Sequence, residues 1–123
     1  MSRQAHVLIV EDSELVTSAM RLLFESAHRR VSIAGSLAEA LDVGMHDPAD
    51  LVLLDLTLPD GDGLTLIEPL RNAGSRRFVA LTGRDEDAVA TRCREAGCAD
   101  VLVKPVPVRD LLAKSAGWLS EES

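Results

Sequence analysis

The sequence contains few aromatic residues, few lysines and no strongly basic segment. Aromatic residues make up 2% of its 123 residues, tyrosine is absent, and only two of the 13 basic residues are lysines. The formal net charge is −7. Binding to a nucleic-acid backbone requires a basic surface, so this charge balance argues against direct nucleic-acid binding. A net negative charge does not exclude a local cluster of positive charge.

The sequence also lacks long hydrophobic runs and the cysteine pattern of a disulfide framework or metal site. No apolar stretch approaches the roughly 20 residues that span a bilayer, and the first residues do not lead into a signal peptide. Cys93 and Cys98 do not have the spacing of metal ligands, so we interpret both as reduced thiols. The histidines have no metal spacing either and are interpreted as structural or exposed: His6, His28 and His46. We therefore expect a soluble cytoplasmic protein without membrane contact.

The chain does contain enough apolar material for one core. Hydrophobic residues make up 46% of it, and no flexible linker, repeat or low-complexity segment divides it. A chain of this length is expected to form one compact domain, and we assign residues 1–123 to it. The final residues, SEES, indicate a frayed end.

Five short apolar runs alternate with helical patterns along the chain. Most of the runs are apolar on both faces, which is typical of strands in a parallel sheet that is covered on both sides. The runs are HVLIV, VSIA, LVLL, FVAL and VLV, which begin at residues 6, 31, 51, 78 and 101. This alternation predicts an α/β fold with right-handed crossovers and helices on both faces of the sheet.

The helical segments carry start and stop signals. Ser36 followed by Glu39 has the pattern of a capping box. The segment 85–96 is acidic in its first turn and basic in its last, as the helix dipole favours. Pro69 removes a backbone donor within the third helix, so we predict a kink or an early end near Glu68.

Polar residues stand where four of the five predicted strands end. Glu11 and Asp12 follow the first strand and Asp55 follows the third. Thr82 follows the fourth strand and Lys104 the fifth. Because ligands bind at the carboxyl ends of strands in an open parallel sheet, we expect these groups to gather at one edge. Each residue alone also fits a plain role as a helix cap, a turn residue or a solvated charge.

Taken together, these groups favour phosphoryl chemistry with a metal ion. Carboxylates held close together repel one another, so such a cluster keeps a proton or binds a cation. Oxygen ligands beside a phosphate favour Mg²⁺, with Glu11, Asp12 and Asp55 as candidate ligands. Asp55 is the candidate nucleophile, because a carboxylate can carry a phosphoryl group as an acyl phosphate. Lys104 would balance charge during transfer, and Thr82 would hydrogen-bond the attached group.

These motifs, in this order, resemble the response-regulator receiver domain of two-component signalling. The matching strings are VLIVED, LVLLDLTLPDGDG, VALTG and GCADVLVKPV, and the match covers nearly the whole chain. The resemblance implies a flavodoxin-like, doubly wound fold with five helices and five parallel strands in the order 2-1-3-4-5. The bond between Lys104 and Pro105 is often cis in such domains.

The resemblance also implies how such a chain works. It implies Mg²⁺ at the acidic cluster and phosphoryl transfer onto Asp55 from the phosphohistidine of a partner histidine kinase or phosphotransfer protein. The chain would then be a signalling phospho-acceptor that catalyses its own phosphoryl transfer and dephosphorylation, not an enzyme with a separate substrate. We expect an output protein or output domain as a further partner, with the chain either a stand-alone receiver or part of a larger regulator.

Two features depart from that family's pattern. Receivers commonly have an aromatic residue or histidine three positions before the lysine, where this chain has Val101. A small β-branched side chain cannot make the usual inward swing of a ring, so the usual route of propagation is in question. Thr57 and Arg84 occupy positions that influence the lifetime of the phosphoryl group in the family. Arg84 either shields the acyl phosphate from water or is simply solvated.

Three alternative functions fit parts of the pattern. A phosphatase of the haloacid-dehalogenase type needs a second aspartate two residues after its nucleophile, where this chain has Thr57. A flavin-binding domain needs aromatic rings and a phosphate loop after the first strand, and this chain offers few rings and no such loop. A receiver-like interaction module that acts independently of phosphorylation is compatible with Val101, although all five site residues are present.

The family resemblance also points to a surface for output contacts. In receivers this surface is formed by the fourth helix, the fifth strand and the fifth helix. The charged residues there are Arg92, Asp100, Arg109, Asp110 and Lys114. Mixed charges of this kind could pair across a two-fold homodimer, and they are equally what a solvated helical surface contains.

Overall fold

The structure is a computed structural model that describes residues 4–120. Within these residues no helix has both the length and the apolar character needed to cross a membrane. The end predicted to fray lies outside the described residues except for Ser120. Cys93 and Cys98 are free and buried.

Five parallel strands form the central sheet. They are β1 (His6–Val10), β2 (Arg30–Ala34), β3 (Leu51–Asp55), β4 (Arg77–Thr82) and β5 (Asp100–Val103). Their order across the sheet is β2-β1-β3-β4-β5. Ile9 of β1 pairs with Ile33 on one side and with Leu53 on the other. The predicted flavodoxin-like fold and its strand order are confirmed.

Four α-helices connect the strands, and a fifth follows the last strand. They are α1 (Glu14–Ser26), α2 (Leu37–His46), α3 (Ile67–Ala73), α4 (Asp87–Ala96) and α5 (Val108–Trp118). Ser36 caps α2, and its hydroxyl oxygen accepts a hydrogen bond from the N–H of Glu39 at 3.1 Å. The Glu39 carboxylate accepts from the N–H of Gly35 at 2.7 Å, one residue earlier than a capping box requires.

Helices cover both faces of the sheet. Successive residues of a strand point to opposite faces, so neighbouring residues belong to different apolar clusters. One cluster joins the sheet to α1 and α5 through Val7, Ile9, Met20, Phe24, Leu53, Leu81 and Leu111. The other joins it to α2, α3 and α4 through Leu8, Val10, Ala40, Leu54, Leu70, Phe78 and Cys93. The doubly wound arrangement leaves the carboxyl ends of the strands free of helices.

Residues 63–73 form two helical pieces instead of one. A 3₁₀ helix spans Gly63–Leu66, and α3 then runs from Ile67 to Ala73. Of the predicted kink or early end near Glu68, the early end is wrong, because α3 continues to Ala73. Pro69 lies in the first turn of α3, where an α-helix has unpaired N–H groups and loses little from a missing donor.

The amino end of the sheet contains a buried polar network. The His6 ring is fully buried, with Nδ1 at 3.1 Å from the Pro48 carbonyl oxygen and Nε2 at 2.8 Å from Ser32 Oγ. The N–H of His6 donates to the Asp50 carboxylate at 2.8 Å. These hydrogen bonds make His6 a structural residue, since both ring nitrogens have protein partners.

Candidate functional site

Three of the predicted site residues meet at the carboxyl edge of the sheet. Asp55 is the last residue of β3, while Glu11 and Lys104 directly follow β1 and β5. The Lys104 Nζ atom lies 2.6 Å from Glu11 Oε1 and 3.0 Å from Asp55 Oδ2. One ammonium therefore bridges two carboxylates from different strands. The peptide bond between Lys104 and Pro105 is cis.

Burial controls the charges in this group. Glu11 and Asp55 are only 3% and 8% exposed. Burial raises the pKa of the Glu11 carboxyl above its ordinary value, and hydrogen bonds from Lys104 and from the Ser13 N–H oppose it only in part. Burial alone would lower the pKa of Lys104, but its hydrogen bonds to the two carboxylates outweigh that effect and leave its pKa raised. Lys104 is therefore held as a cation.

Asp12 adds a third carboxylate at the exposed rim. It does not cap α1, because Ser13 does so by accepting a hydrogen bond from the Val16 N–H. Ligand oxygens of Glu11, Asp12 and Asp55 lie within 4.8 Å of one another. Both Glu11 oxygens have donors, whereas no hydrogen bond to the Asp12 carboxylate occurs among residues 4–120. This group of oxygens suits a hard cation.

Thr82 ends the neighbouring strand and is buried. Its carbonyl oxygen accepts from the N–H of Lys104 at 2.7 Å. Its hydroxyl oxygen accepts from the N–H of Arg84 at 3.0 Å. The Arg84 side chain is 76% exposed and lies 3.6 Å from a Glu86 carboxylate oxygen, which agrees with the interpretation of Arg84 as a solvated residue.

The turn after Asp55 fixes its carboxylate. The N–H of Thr57 donates to Asp55 Oδ1 at 3.1 Å. Two short strands, Thr57–Leu58 and Gly61–Asp62, then pair in antiparallel fashion and form what we call the site hairpin. Gly63 closes the hairpin, and a Cβ there would lie 2.0 Å from the carbonyl oxygen of Asp55. Only glycine allows this approach of the two backbones.

The sequence analysis missed two aspartates that tie this turn to helices. Asp60 accepts hydrogen bonds at 2.8 and 3.2 Å from the first N–H groups of α2, and the bond from Leu37 lowers the pKa of the Asp60 carboxyl. Asp62 accepts from Arg92 of α4 at 2.7 Å. The DGDG string signalled a turn that carries two carboxylates, but it did not identify their partners.

A cleft of about 720 Å³ opens between the site hairpin and α4. Its lining includes Asp55, Thr57, Thr82, Arg84 and Arg92. Asp55, the candidate nucleophile, and Thr82 therefore line the same cleft. That space is large enough to admit a small phosphorylated compound.

Only some of the charged residues on the predicted output face form ion pairs with each other. Lys114 Nζ lies 4.0 Å from an Asp100 carboxylate oxygen. Arg92 pairs with Asp62 of the site hairpin and not with a residue of this face. Val101 is half-buried and packs in the apolar cluster that α4 shares with the sheet.

Curated proteins similar to this chain are regulators of about twice its length. The KDP operon transcriptional regulatory protein KdpE of Escherichia coli (strain K12) is 35% identical over 109 residues, which cover 89% of this chain and 48% of that protein. The TorCAD operon transcriptional regulatory protein TorR of Escherichia coli O157:H7 is 31% identical over 109 residues, which cover 89% of this chain and 47% of that protein. The chain thus spans about half the length of these relatives.

Solved structures and a family profile agree with these relatives. The non-phosphorylated HemR receiver domain from Leptospira biflexa is 30% identical, with a TM-score of 0.87 and 95% of each chain covered. The BeF3-activated N-terminal receiver domain of Klebsiella pneumoniae RstA is 30% identical, with a TM-score of 0.85, and 94% of this chain and 99% of that chain are covered. The family profile described as response regulator receiver domain matches residues 7–116. Since that match spans most of its length, the chain belongs to the response regulator receiver domain family, whose members are signalling proteins.

Proposed function

We propose that this chain accepts a phosphoryl group on Asp55 from a partner histidine kinase or phosphotransfer protein and passes the signal to an output protein or domain. The observation that carries the proposal is the bridge from Lys104 Nζ to the carboxylates of Glu11 and Asp55. Two buried carboxylates that share one half-buried lysine are costly for folding alone, and perturbed groups of this kind cluster at functional sites.

In the proposed reaction an oxygen of Asp55 attacks the phosphorus of the phosphohistidine. The new bond joins this oxygen to phosphorus, and the phosphorus–nitrogen bond breaks as the imidazole leaves with the electron pair. Lys104 lies 3.0 Å from Asp55 Oδ2 and would offset charge on the phosphoryl oxygens. The Thr57 N–H, 3.1 Å from Oδ1, would orient the carboxylate for attack. Hydrolysis of the acyl phosphate would return the chain to its initial state.

Mg²⁺ is the cofactor that the carboxylates fit. Their oxygens lie within 4.8 Å of one another, and hard divalent cations prefer oxygen ligands. Glu11, Asp12 and Asp55 would hold the ion, because each of them offers one ligand oxygen to this group. The ion would neutralise part of the charge that builds up on the transferred group.

After transfer we propose that the Thr82 hydroxyl turns from the Arg84 N–H to the phosphoryl group and changes the output face. We further propose that residues 1–123 act as one receiver domain, either alone or within a longer regulator. Support comes from the relatives, which are described as transcriptional regulatory proteins and are about twice as long. A homodimer through the output face is compatible with the Lys114–Asp100 pair but needs its own measurement.

The test is phosphorylation by acetyl phosphate in the presence of Mg²⁺, followed by intact-protein mass spectrometry. The wild-type chain should gain the mass of one phosphoryl group, and Asp55→Ala should gain none. Asp60→Ala is the matched control, because it removes an aspartate of the same turn without removing the nucleophile. A wild-type chain that stays unmodified, or an Asp55→Ala chain that is modified equally, would refute the proposal.

A second candidate function is an interaction module that acts independently of phosphorylation. Val101 favours it, because the ring that usually moves on activation is replaced by a small half-buried side chain. Under this alternative, partner binding would be the same with and without acetyl phosphate. The mass measurement and a binding assay on the same sample therefore separate the two functions.

A further inference from the structure

We propose that the ion pair between Asp62 and Arg92 positions the carboxylate of Asp55 and links helix α4 to it, so that α4 responds to phosphorylation by a route that does not use residue 101. This inference rests on the proposed phospho-acceptor role of Asp55. It concerns the route from the site to the output face, which the proposed chemistry at the sheet edge does not specify.

The first link joins Asp55 to the site hairpin. The N–H of Thr57 donates to Asp55 Oδ1 at 3.1 Å, and Thr57 is the residue that pairs with Asp62 across the hairpin. The backbone that contacts the phospho-acceptor therefore lies directly opposite Asp62, and the N–H of Gly63, next to Asp62, donates to the carbonyl oxygen of Leu56 at 3.0 Å. A displacement of one strand of so short a hairpin must displace the other.

The second link joins the site hairpin to α4. Asp62 Oδ1 accepts from the N–H of Leu64 at 2.9 Å, and its carbonyl oxygen accepts from the Thr65 hydroxyl at 2.7 Å. Its remaining carboxylate oxygen, Oδ2, accepts from Arg92 at 2.7 Å. Because two bonds to the 3₁₀ helix fix the orientation of Asp62, the ion pair transmits a movement of the hairpin to α4 instead of absorbing it.

Helix α4 is held loosely enough to respond. Cys93 is its only buried residue within the described chain, whereas α1 buries Thr17, Met20 and Phe24. An element with little buried apolar surface has a low local stability. A single charged contact therefore forms a larger share of what holds α4 than it would for α1.

Phosphorylation would act directly on the first link. An acyl phosphate has one bridging oxygen and one carbonyl oxygen, and the negative charge of the carboxylate is gone. A neutral carbonyl is a weaker acceptor than a carboxylate, so the Thr57 N–H would lose part of its hydrogen bond. Val101 does not replace this link, because its side chain packs within the apolar cluster and has no polar atom.

The first test measures the link without phosphorylation. Asp62→Asn keeps an oxygen that can accept from the Leu64 N–H but removes the charge that pairs with Arg92. Arg92→Gln removes the same pair from the other side. Arg94→Gln, also exposed on α4, is the control, because Arg94 forms no ion pair among residues 4–120. We expect Asp62→Asn and Arg92→Gln to shift the amide resonance of Thr57 in NMR spectra, and Arg94→Gln to leave it unchanged.

The second test measures the response of α4. Amide hydrogen exchange is followed before and after acetyl phosphate and Mg²⁺, with the phosphorylated fraction measured by mass. Because exposed ion pairs are weak, we expect exchange in α4 of the wild type to change by about two- to threefold on phosphorylation. This change should be lost in Asp62→Asn and Arg92→Gln and kept in Val101→Ala.

The outcomes separate this inference from the proposed function. An unmodified wild type would refute the proposed function, and the Thr57 resonance would still report on the link. A Thr57 resonance that is unmoved in both ion-pair variants would overturn the inference. It would also be overturned if phosphorylated Arg92→Gln kept the full response of α4, or if Val101→Ala abolished that response.

Discussion

The two ends of the sheet differ in how completely their clustered polar groups are paired. At the amino end, His6 has a partner on each ring nitrogen and its N–H is paired with Asp50 at 2.8 Å. At the carboxyl end, the carboxylates of Glu11, Asp12 and Asp55 lie together, and the Lys104 ammonium pairs only with those of Glu11 and Asp55. The His6 network at the amino end is satisfied within the protein, whereas the cluster at the carboxyl end keeps an excess of negative charge.

This difference is consistent with a structural role for the His6 network and with the ligand site that we propose at the carboxyl end. Satisfied hydrogen bonds contribute to folding, while uncompensated carboxylates oppose it. A site that costs stability and still persists is typical of function. The following predictions test this comparison.

The largest effect is expected at Gly63 near the carboxyl end, where the fold requires two backbone segments to approach closely. A Cβ at this position would lie 2.0 Å from the Asp55 carbonyl oxygen, so the backbone must move. Gly63→Ala should therefore destabilise the chain by about 3 kcal/mol or more in urea denaturation. Gly83→Ala is the control, because no atom lies within 4 Å of a Cβ there. Equal stability of the two variants would contradict the close approach.

The next largest effect is expected at the amino end. Asp50→Ala leaves the buried N–H of His6 without its acceptor, which should cost about 2 kcal/mol in urea denaturation. Phosphorylation by acetyl phosphate should proceed at the wild-type rate in the fraction that is folded. Asp50→Asn keeps an acceptor oxygen and should lose less stability. A clear loss of phosphorylation in folded Asp50→Ala would mean that the two ends are not independent.

A change of opposite sign is expected at the carboxyl end. Asp12→Asn removes one of three clustered carboxylates and no hydrogen bond within the described chain, so the free energy of unfolding should rise by about 0.5 kcal/mol without Mg²⁺. Its affinity for Mg²⁺ should fall, because a charged ligand is lost. With saturating Mg²⁺ the order should reverse, since the wild type binds the ion more tightly. A variant that is less stable than the wild type in both conditions would contradict this assignment.

The smallest effect is expected at the exposed pair of Arg30 and Asp47. The hydrogen bond from Arg30 lowers the pKa of Asp47 below its ordinary value of 3.8, despite some opposing burial. A lowered pKa gives stabilisation that is present above the unfolded value and is lost as pH falls through the folded value. In urea denaturation, Arg30→Gln should cost about 0.5 kcal/mol at neutral pH, and this cost should shrink as the pH falls through the lowered pKa of Asp47.

Glu11 at the other end should show the reverse slope. Burial raises the pKa of its carboxyl, so the folded state holds that proton more tightly than the unfolded state. Its contribution to stability is therefore present at low pH and is lost as pH rises through the folded pKa. Comparing wild type with Glu11→Gln across this range in urea denaturation isolates the contribution. A difference that grows in favour of the wild type with rising pH would contradict the sign.

The sequence predicted the fold and the gathering of the site residues for the same reason. Strand residues such as Ile9 and Leu53 are apolar wherever a helix covers them, and that pattern sets the order of elements. Parallel strands then bring their carboxyl ends together, which is enough to predict that Glu11, Asp55 and Lys104 meet.

The parts of the fold and site that the sequence analysis did not predict depend on contacts that no local sequence pattern encodes. Two examples are the pairs Asp62–Arg92 and Asp60–Leu37, whose members are far apart in the sequence. The conformation of a loop brings them together, and the periodicity of helices and strands does not predict such contacts. The effect of Pro69 was misjudged because the sequence does not indicate where a 3₁₀ turn gives way to an α-helix. Prolines are tolerated in a first turn, so the prediction depended on a boundary that local patterns define poorly.

Surface loops usually accept inserted residues, but the turn after β3 should not. Asp60 reaches the first amides of α2 while Thr57, three positions earlier, is anchored to Asp55. An added residue between them would pull one of these anchors away, so the length of this loop is fixed from both sides. An affinity tag or a fused domain placed here would disconnect α2 from the sheet edge, even though the loop is exposed to solvent.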